Sequence, residues 1–268
     1  MDDLHECQQS LHRWGRANAV TFDAGKEETM IVATIDSCDG PIKLLGIDFD
    51  NKLAMHKAVH KCAIQASLKS RSLLRCRRFY NTADMIMLYK SHILSYIEYR
   101  TAGIHFACTS VLAEVDDVQS RFITQLELSE EAAFMHFNLA PLSVRRDISI
   151  LGVIHRAALR KGPPELWKFF RREVSHSYRR SVRFSHRHSR CLIEWAAGSN
   201  LEIMRRSALG MIRVYNLLPE ELVDKVDLKE FQRGLTQLVR DRVTAGDHRW
   251  RFLLSPRHAL FQFHPLIS

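Results

Sequence analysis

Between residues 55 and 128, three stretches place apolar side chains at three- and four-residue intervals, and short polar breaks separate them. In residues 55–79, Val59, Cys62, Ala63, Ala66, Leu73 and Leu74 share one side of a helix. Thr82 and Asp84 open a second helix that runs to about Arg100, with Met85, Leu88, Ile93, Tyr96 and Tyr99 directed inward. A third, from Ser110 to Leu128, carries Val111, Val115, Val118, Phe122 and Leu126 inward and Asp116, Asp117 and Gln119 outward. Helices of this length on short connections bury their apolar stripes against one another, which predicts a bundle.

The first of these helices is strongly basic. From Lys57 to Arg78 there are seven Lys and Arg and no Asp or Glu. Lys57, Lys61, Arg71, Arg75 and Arg78 fall on the side away from the apolar stripe, with Ile64 and Leu68 among them. A solvated face ordinarily mixes charge signs. An unmixed one suits contact with a phosphate backbone, which needs charge and no sequence reading. The whole chain leans the same way, with a formal charge of +9 and a pI near 9.4, so a polyanion is the predicted partner. A second basic run, Arg171 to Arg190, holds seven Arg and three His against the single acid Glu173, with no apolar period. It reads as a linker or arm, with Arg179, Arg180 and Arg183 as further candidate contacts. His186, His188 and Cys191 close that run without a fourth ligand in register, so no metal is assigned to them.

Residues 2–18 are helix-compatible, with Leu4, Leu11 and Trp14 at roughly helical spacing, and Asp2 and Asp3 read as an acidic first turn. Val20 to Phe22 and Thr29 to Ile35 are short β-favouring runs on either side of the turn residues Asp23 to Lys26. Ile42 to Phe49 has hydrophobic residues on both faces, as a strand covered on both sides would. Gly46 in its middle predicts a bulge or a close approach of another backbone. Downstream, Leu142 begins a helix with Ile148, Leu151, Ile154 and His155 inward, and Gly162, Pro163 and Pro164 end it. Asp227 to Glu230 is a capping-box-like start for a helix bearing Leu228, Phe231, Leu235, Leu238 and Val239. After Gly246, the aromatic tail (Trp250, Phe252, Phe261, Phe263) is expected to pack back onto that helix. The fold class is therefore mainly α with a small N-terminal antiparallel β element.

Several phrases occur in a telling order. Trp14 precedes Phe22-Asp23-Ala24-Gly25-Lys26, and Lys43-x-Leu45-Gly46 follows with Asp50. Then come Leu88-Tyr89-Lys90-Ser91, the run Leu112 to Phe122, Tyr215-Asn216-Leu217-Leu218-Pro219, and Leu228-Lys229-x-Phe231-Gln232. Together they resemble the C-terminal part of the reverse transcriptases of non-LTR (LINE-like) retrotransposons, which are RNA-directed DNA polymerases of mobile elements.

The resemblance implies a palm-edge remnant with a primer-grip-like hairpin in residues 1–53 and a thumb-like helical bundle in 54–170. A basic linker or arm in 171–190 and a C-terminal helical segment in 191–268 would follow. Leu45 and Gly46 would sit in the primer grip, and Lys26 near the departing pyrophosphate as an auxiliary to catalysis. Asp23 and Glu27 depart from the family's usual Asn and Thr or Ser. Polymerisation needs two acidic side chains from palm segments to hold Mg2+, and neither segment is in this sequence, so no cofactor is assigned to this chain. The implied function is a truncated reverse transcriptase, inactive by itself, that binds RNA or an RNA–DNA hybrid. The alternative is a helical protein-interaction module with no nucleic-acid role. The six cysteines are scattered singly and the first residues lack a secretory leader, so an intracellular location, nuclear or cytoplasmic, is expected. No uncharged run approaches the ~20 apolar residues of a membrane span.

Overall fold

A computed structural model describes residues 2–32, 40–172, 188–196, 202–257, 264 and 266. The chain divides into two compact units, Met1–Leu53 and Ala54–Ser268. The fold is mainly helical with one small antiparallel sheet near the N-terminus.

The first unit opens with α1 (Asp2–Ala17), so Asp2 and Asp3 stand in the first turn of a helix. The chain then doubles back. Val20 N–H donates to the Gly15 carbonyl at 2.8 Å, and a Cβ on Gly15 would lie 2.4 Å from the Phe22 ring. Residues 20–22 and 29–32 are not strands; the rest of the second β-favouring run lies outside the described residues. Ile42 to Phe49 is not one strand. β1 (Ile42–Leu44) and β2 (Ile47–Phe49) pair antiparallel, Ile42 with Phe49 and Leu44 with Ile47. Leu45 and Gly46 make the turn, with φ of 50° and 78°. Positive φ at both central residues is the two-residue hairpin turn whose twist matches its strands. Gly46 thus marks a reversal of the chain, not a bulge.

The second unit begins with α2 (His56–Leu74), which packs along α6 (Thr109–Gln125). Between them, α3 (Thr82–Tyr89) is capped by Asn81, whose side chain accepts the Asp84 N–H at 2.9 Å. It widens into a π-helical turn over Lys90–Leu94, continues as α4 (Ser95–Glu98), and is followed by α5 (Thr101–Ile104). Tyr89 and Phe122 stack at 4.4 Å between ring centres, which ties this kinked helix to α6. Next come α7 (Glu130–Phe137), α8 (Leu142–Ala158) and α9 (Pro164–Trp167). Last are α10 (Glu202–Arg206), α11 (Ala208–Tyr215), α12 (Glu220–Val223) and α13 (Leu228–Thr244).

One core joins α8 to the C-terminal helices. Leu151 and Ile154 share it with Met211, Ile212 and Tyr215 of α11 and with Phe231, Leu235 and Val239 of α13. Each such side chain contributes about 1.5–3 kcal/mol by leaving water. His155 lies at its centre, fully buried and stacked on Phe231 at 3.9 Å. It bonds Tyr215 Oη through Nδ1 and the Lys225 carbonyl through Nε2. The carbonyl can only accept, so Nε2 carries a proton. Burial holds its pKa below the usual histidine range. Trp250, in a short turn after α13, stacks on Phe134 of α7; Phe261 and Phe263 lie outside the described residues.

Candidate nucleic-acid interface

α2 is amphipathic because its small side chains recur at helical spacing. Ala58, Val59, Cys62, Ala63, Ala66 and Ser70 are buried, and small residues let α6 approach closely. Burial raises the Cys62 thiol to about 11, so it stays protonated in the core. The opposite face presents Lys57, Lys61, Arg71 and Arg75 to solvent. Lys57, Arg71 and Arg75 make no ion pair with any described residue. Ile64 and Leu68 lie on the same stripe at 45% and 49% exposure.

Acids approach the edge of α2 next to α6 and the turn that follows α2. His60 pairs with Glu114 at 2.8 Å, and Arg77 with Glu127 at 2.8 Å. Those acids come from α6 and the turn after it, fifty or more residues away, so the charge of Arg77, just beyond α2, is balanced by a residue distant in sequence. Among the candidates, Arg78 leaves the helical face. α2 ends at Leu74, Cys76 takes φ −88° and ψ 0°, and Arg77–Phe79 forms a separate 3-10 turn. Arg78 lies 4.7 Å from the Phe79 ring centre. Phe79 and Tyr80 are themselves exposed. Sequence reasoning passed over these two aromatics; their signal is an Arg-Arg-Phe-Tyr run directly before a helix cap. Arg guanidinium beside an open ring is the composition that stacking on bases uses.

The other candidates fall elsewhere. Lys26 is an exposed turn residue whose ammonium pairs with Asp23 at 3.4 Å, while the other Asp23 oxygen accepts the Gly25 N–H. It belongs to the first unit, as do Leu45 and Gly46 at the hairpin tip. Arg179, Arg180, Arg183 and His186 lie outside the described residues. The ends of that basic stretch are nonetheless clamped. Arg172 bridges to Leu192, and Ile193 N–H donates to the Arg171 carbonyl at 3.0 Å. The Asn216 amide accepts from Leu192 N–H and donates to its carbonyl, each at 2.8 Å. His188 uses Nε2 on the Tyr215 carbonyl and Nδ1 on the Arg190 N–H, so both ring nitrogens are taken.

Asp116 and Gln119 do not face outward. Asp116 accepts two bonds from the buried Arg146 guanidinium at 2.6 and 2.7 Å, and Gln119 donates to the Ala140 carbonyl at 2.9 Å. α6 contacts α8 as well as α2, so part of its polar side is covered. Among the described residues no helix is long and apolar enough to cross a membrane.

Comparison with protein-family models, curated proteins and solved structures finds no match.

Proposed function

We propose that this chain is the thumb and C-terminal extension of a non-LTR retrotransposon reverse transcriptase and that it binds a nucleic-acid duplex, an RNA–DNA hybrid in the first instance. The observation that carries the reading is the exposed cationic face of α2, with Lys57, Lys61, Arg71 and Arg75 on a helix whose other side is anchored in the core. Such a face follows a phosphate backbone by charge, as a polymerase thumb requires. The order of the family-like phrases supports the assignment, and Phe79 and Tyr80 are exposed in the turn that follows α2. Catalysis is not assigned to the chain. Asp2 and Asp3 belong to the first turn of α1, and Asp116 accepts from the Arg146 guanidinium.

Fluorescence anisotropy with a labelled RNA–DNA hybrid across a salt series tests the proposal. The expected log–log slope is about −0.9 for each phosphate neutralised. Reversing Lys57, Lys61, Arg71 and Arg75 to Glu should flatten that slope by about three to four and weaken binding at least tenfold. Absence of binding at low salt, or binding that survives the four reversals, would overturn it.

A second reading has its own observation. Ile64 and Leu68 sit exposed in the middle of the cationic stripe, a mixture that an acidic amphipathic helix would also fit. Changing both to Ser separates the two. Hybrid binding should stay within about twofold if backbone charge dominates, since apolar side chains release no counterions.

A further inference from the structure

A second group of cations is assembled by the fold. α8 and α13 pack closely enough that a Cβ on Gly152 would lie 2.6 Å from the Gln232 amide. Beside that crossing is a cleft of about 780 Å³, with Arg145 of α8 on one wall and Lys229, Arg233 and Arg240 of α13 on the other. This volume is typical of ligand sites, which span roughly 300–1,000 Å³. Among the described residues, the single acid lining the cleft is Glu98, and Arg145 engages it at 2.6 Å. Lys229 and Arg233 are exposed and make no ion pair with any described residue. Arg240 is held in place: its Nη2 donates to Asn138 Oδ1 at 3.1 Å, its guanidinium lies over the Phe134 ring, and its Nε is enclosed without a partner.

Arg145 and Arg240 also act on a neighbouring lysine. Lys90 lies beside this group with its ammonium on the Phe137 carbonyl. Its pKa is lowered by burial first, and then by Arg145 and Arg240. Arg145 is balanced by Glu98, which leaves the charges of Lys229, Arg233 and Arg240 for a bound anion to neutralise.

Lys229, Arg233 and Arg240 follow one another along α13, and eleven residues of helix rise about 16 Å. One small anion reaches only part of that length. We propose that the cleft between α8 and α13 is an anion site that holds successive phosphates of a linear polyanion. Guanidinium groups suit this because each can donate two parallel bonds to phosphate oxygens. The site shares no residue with the α2 face and does not depend on the reverse-transcriptase reading. A single-stranded nucleic acid and an inorganic polyphosphate chain both offer the required chemistry.

The test uses the full chain, a labelled oligothymidylate, and long-chain inorganic polyphosphate, both at low salt. Lys229→Glu with Arg233→Glu should weaken oligothymidylate binding at least tenfold, and polyphosphate should displace the oligonucleotide from the unaltered protein. Cleft dependence of both probes identifies any linear polyphosphate ester or anhydride as ligand; dependence of one alone assigns the site to that source. Lys229→Gln with Arg233→Gln, checked by circular dichroism, gives the same reading if the double reversal fails to fold. The four α2 reversals should leave the cleft-dependent part of binding in place, so failure of one proposal is separate from failure of the other. Binding of both probes that is unchanged within twofold in the folded cleft variants, or no binding of either by the unaltered chain, would overturn the inference.

Discussion

The two units of this chain use the same kinds of residue to opposite effect. In Met1–Leu53, α1 spaces Leu4, Leu11 and Trp14 as an amphipathic helix should, yet all three are more than half exposed, Trp14 at 58%. In Ala54–Ser268, Phe231 and Leu235 of α13 have a similar spacing and are completely buried. Helical period marks which face seeks cover; it does not supply the cover. α13 has α8 and α11 beneath it, and Tyr215, His155 and Phe231 interlock there.

That contrast is open to measurement. The largest effect belongs to the packed unit: Phe231→Ala removes the ring on which His155 stacks and should cost about 3–5 kcal/mol in chemical denaturation. A loss below about 1 kcal/mol would mean that this core is loosely packed.

Next is a pH effect. His105 of the packed unit is pushed down to about 4 by burial, which outweighs its bond to the Ala102 carbonyl. Its folded-state pKa lies below the unfolded value near 6.5, so the unfolded chain binds the extra proton. Stability from this group is complete above pH 6.5 and is lost as the pH falls towards 4. Relative to His105→Gln, the native chain should lose about 3 kcal/mol over that window. Taking the difference removes the opposing influence of Asp147, whose carboxyl burial raises to about 7. A pH-independent difference would show that His105 is solvated.

The smallest effect belongs to the first unit. Trp14→Ala should change unfolding free energy by no more than about 0.5 kcal/mol, as exposed positions do. A loss above about 1 kcal/mol would erase the distinction between the units.

The same division separates what was legible beforehand. The α2 surface could be read because its cations and its buried small residues lie on one helix and its cap, within fewer than twenty-one consecutive positions. Arg78 was misplaced because period alone does not reveal that the helix stops at Leu74. Ile42 to Phe49 was misread for a related reason: its apolar residues suit one long strand, but Leu45 and Gly46 take the left-handed conformation that reverses the chain. The α8–α13 cleft left no local trace, since Arg145 and Lys229 are more than eighty residues apart. The roles of Tyr215 and Asn216 were equally hidden. Their phrase stands out in sequence, yet only the fold shows one bonding a buried histidine and the other clamping the backbone of Leu192.

The sequence by itself determined the mainly helical class, the starts of the principal helices, most of their buried positions (Tyr99, read as inward, is 61% exposed) and the basic face of α2. These follow from periodicity, capping residues and charge, which act over a few neighbouring positions. Tertiary structure alone decided which charges are balanced, which apolar faces are covered, and that four cations from two distant helices line one cleft. Those outcomes depend on which surfaces meet, and helix packing sets that over distances along the chain that no local pattern spans.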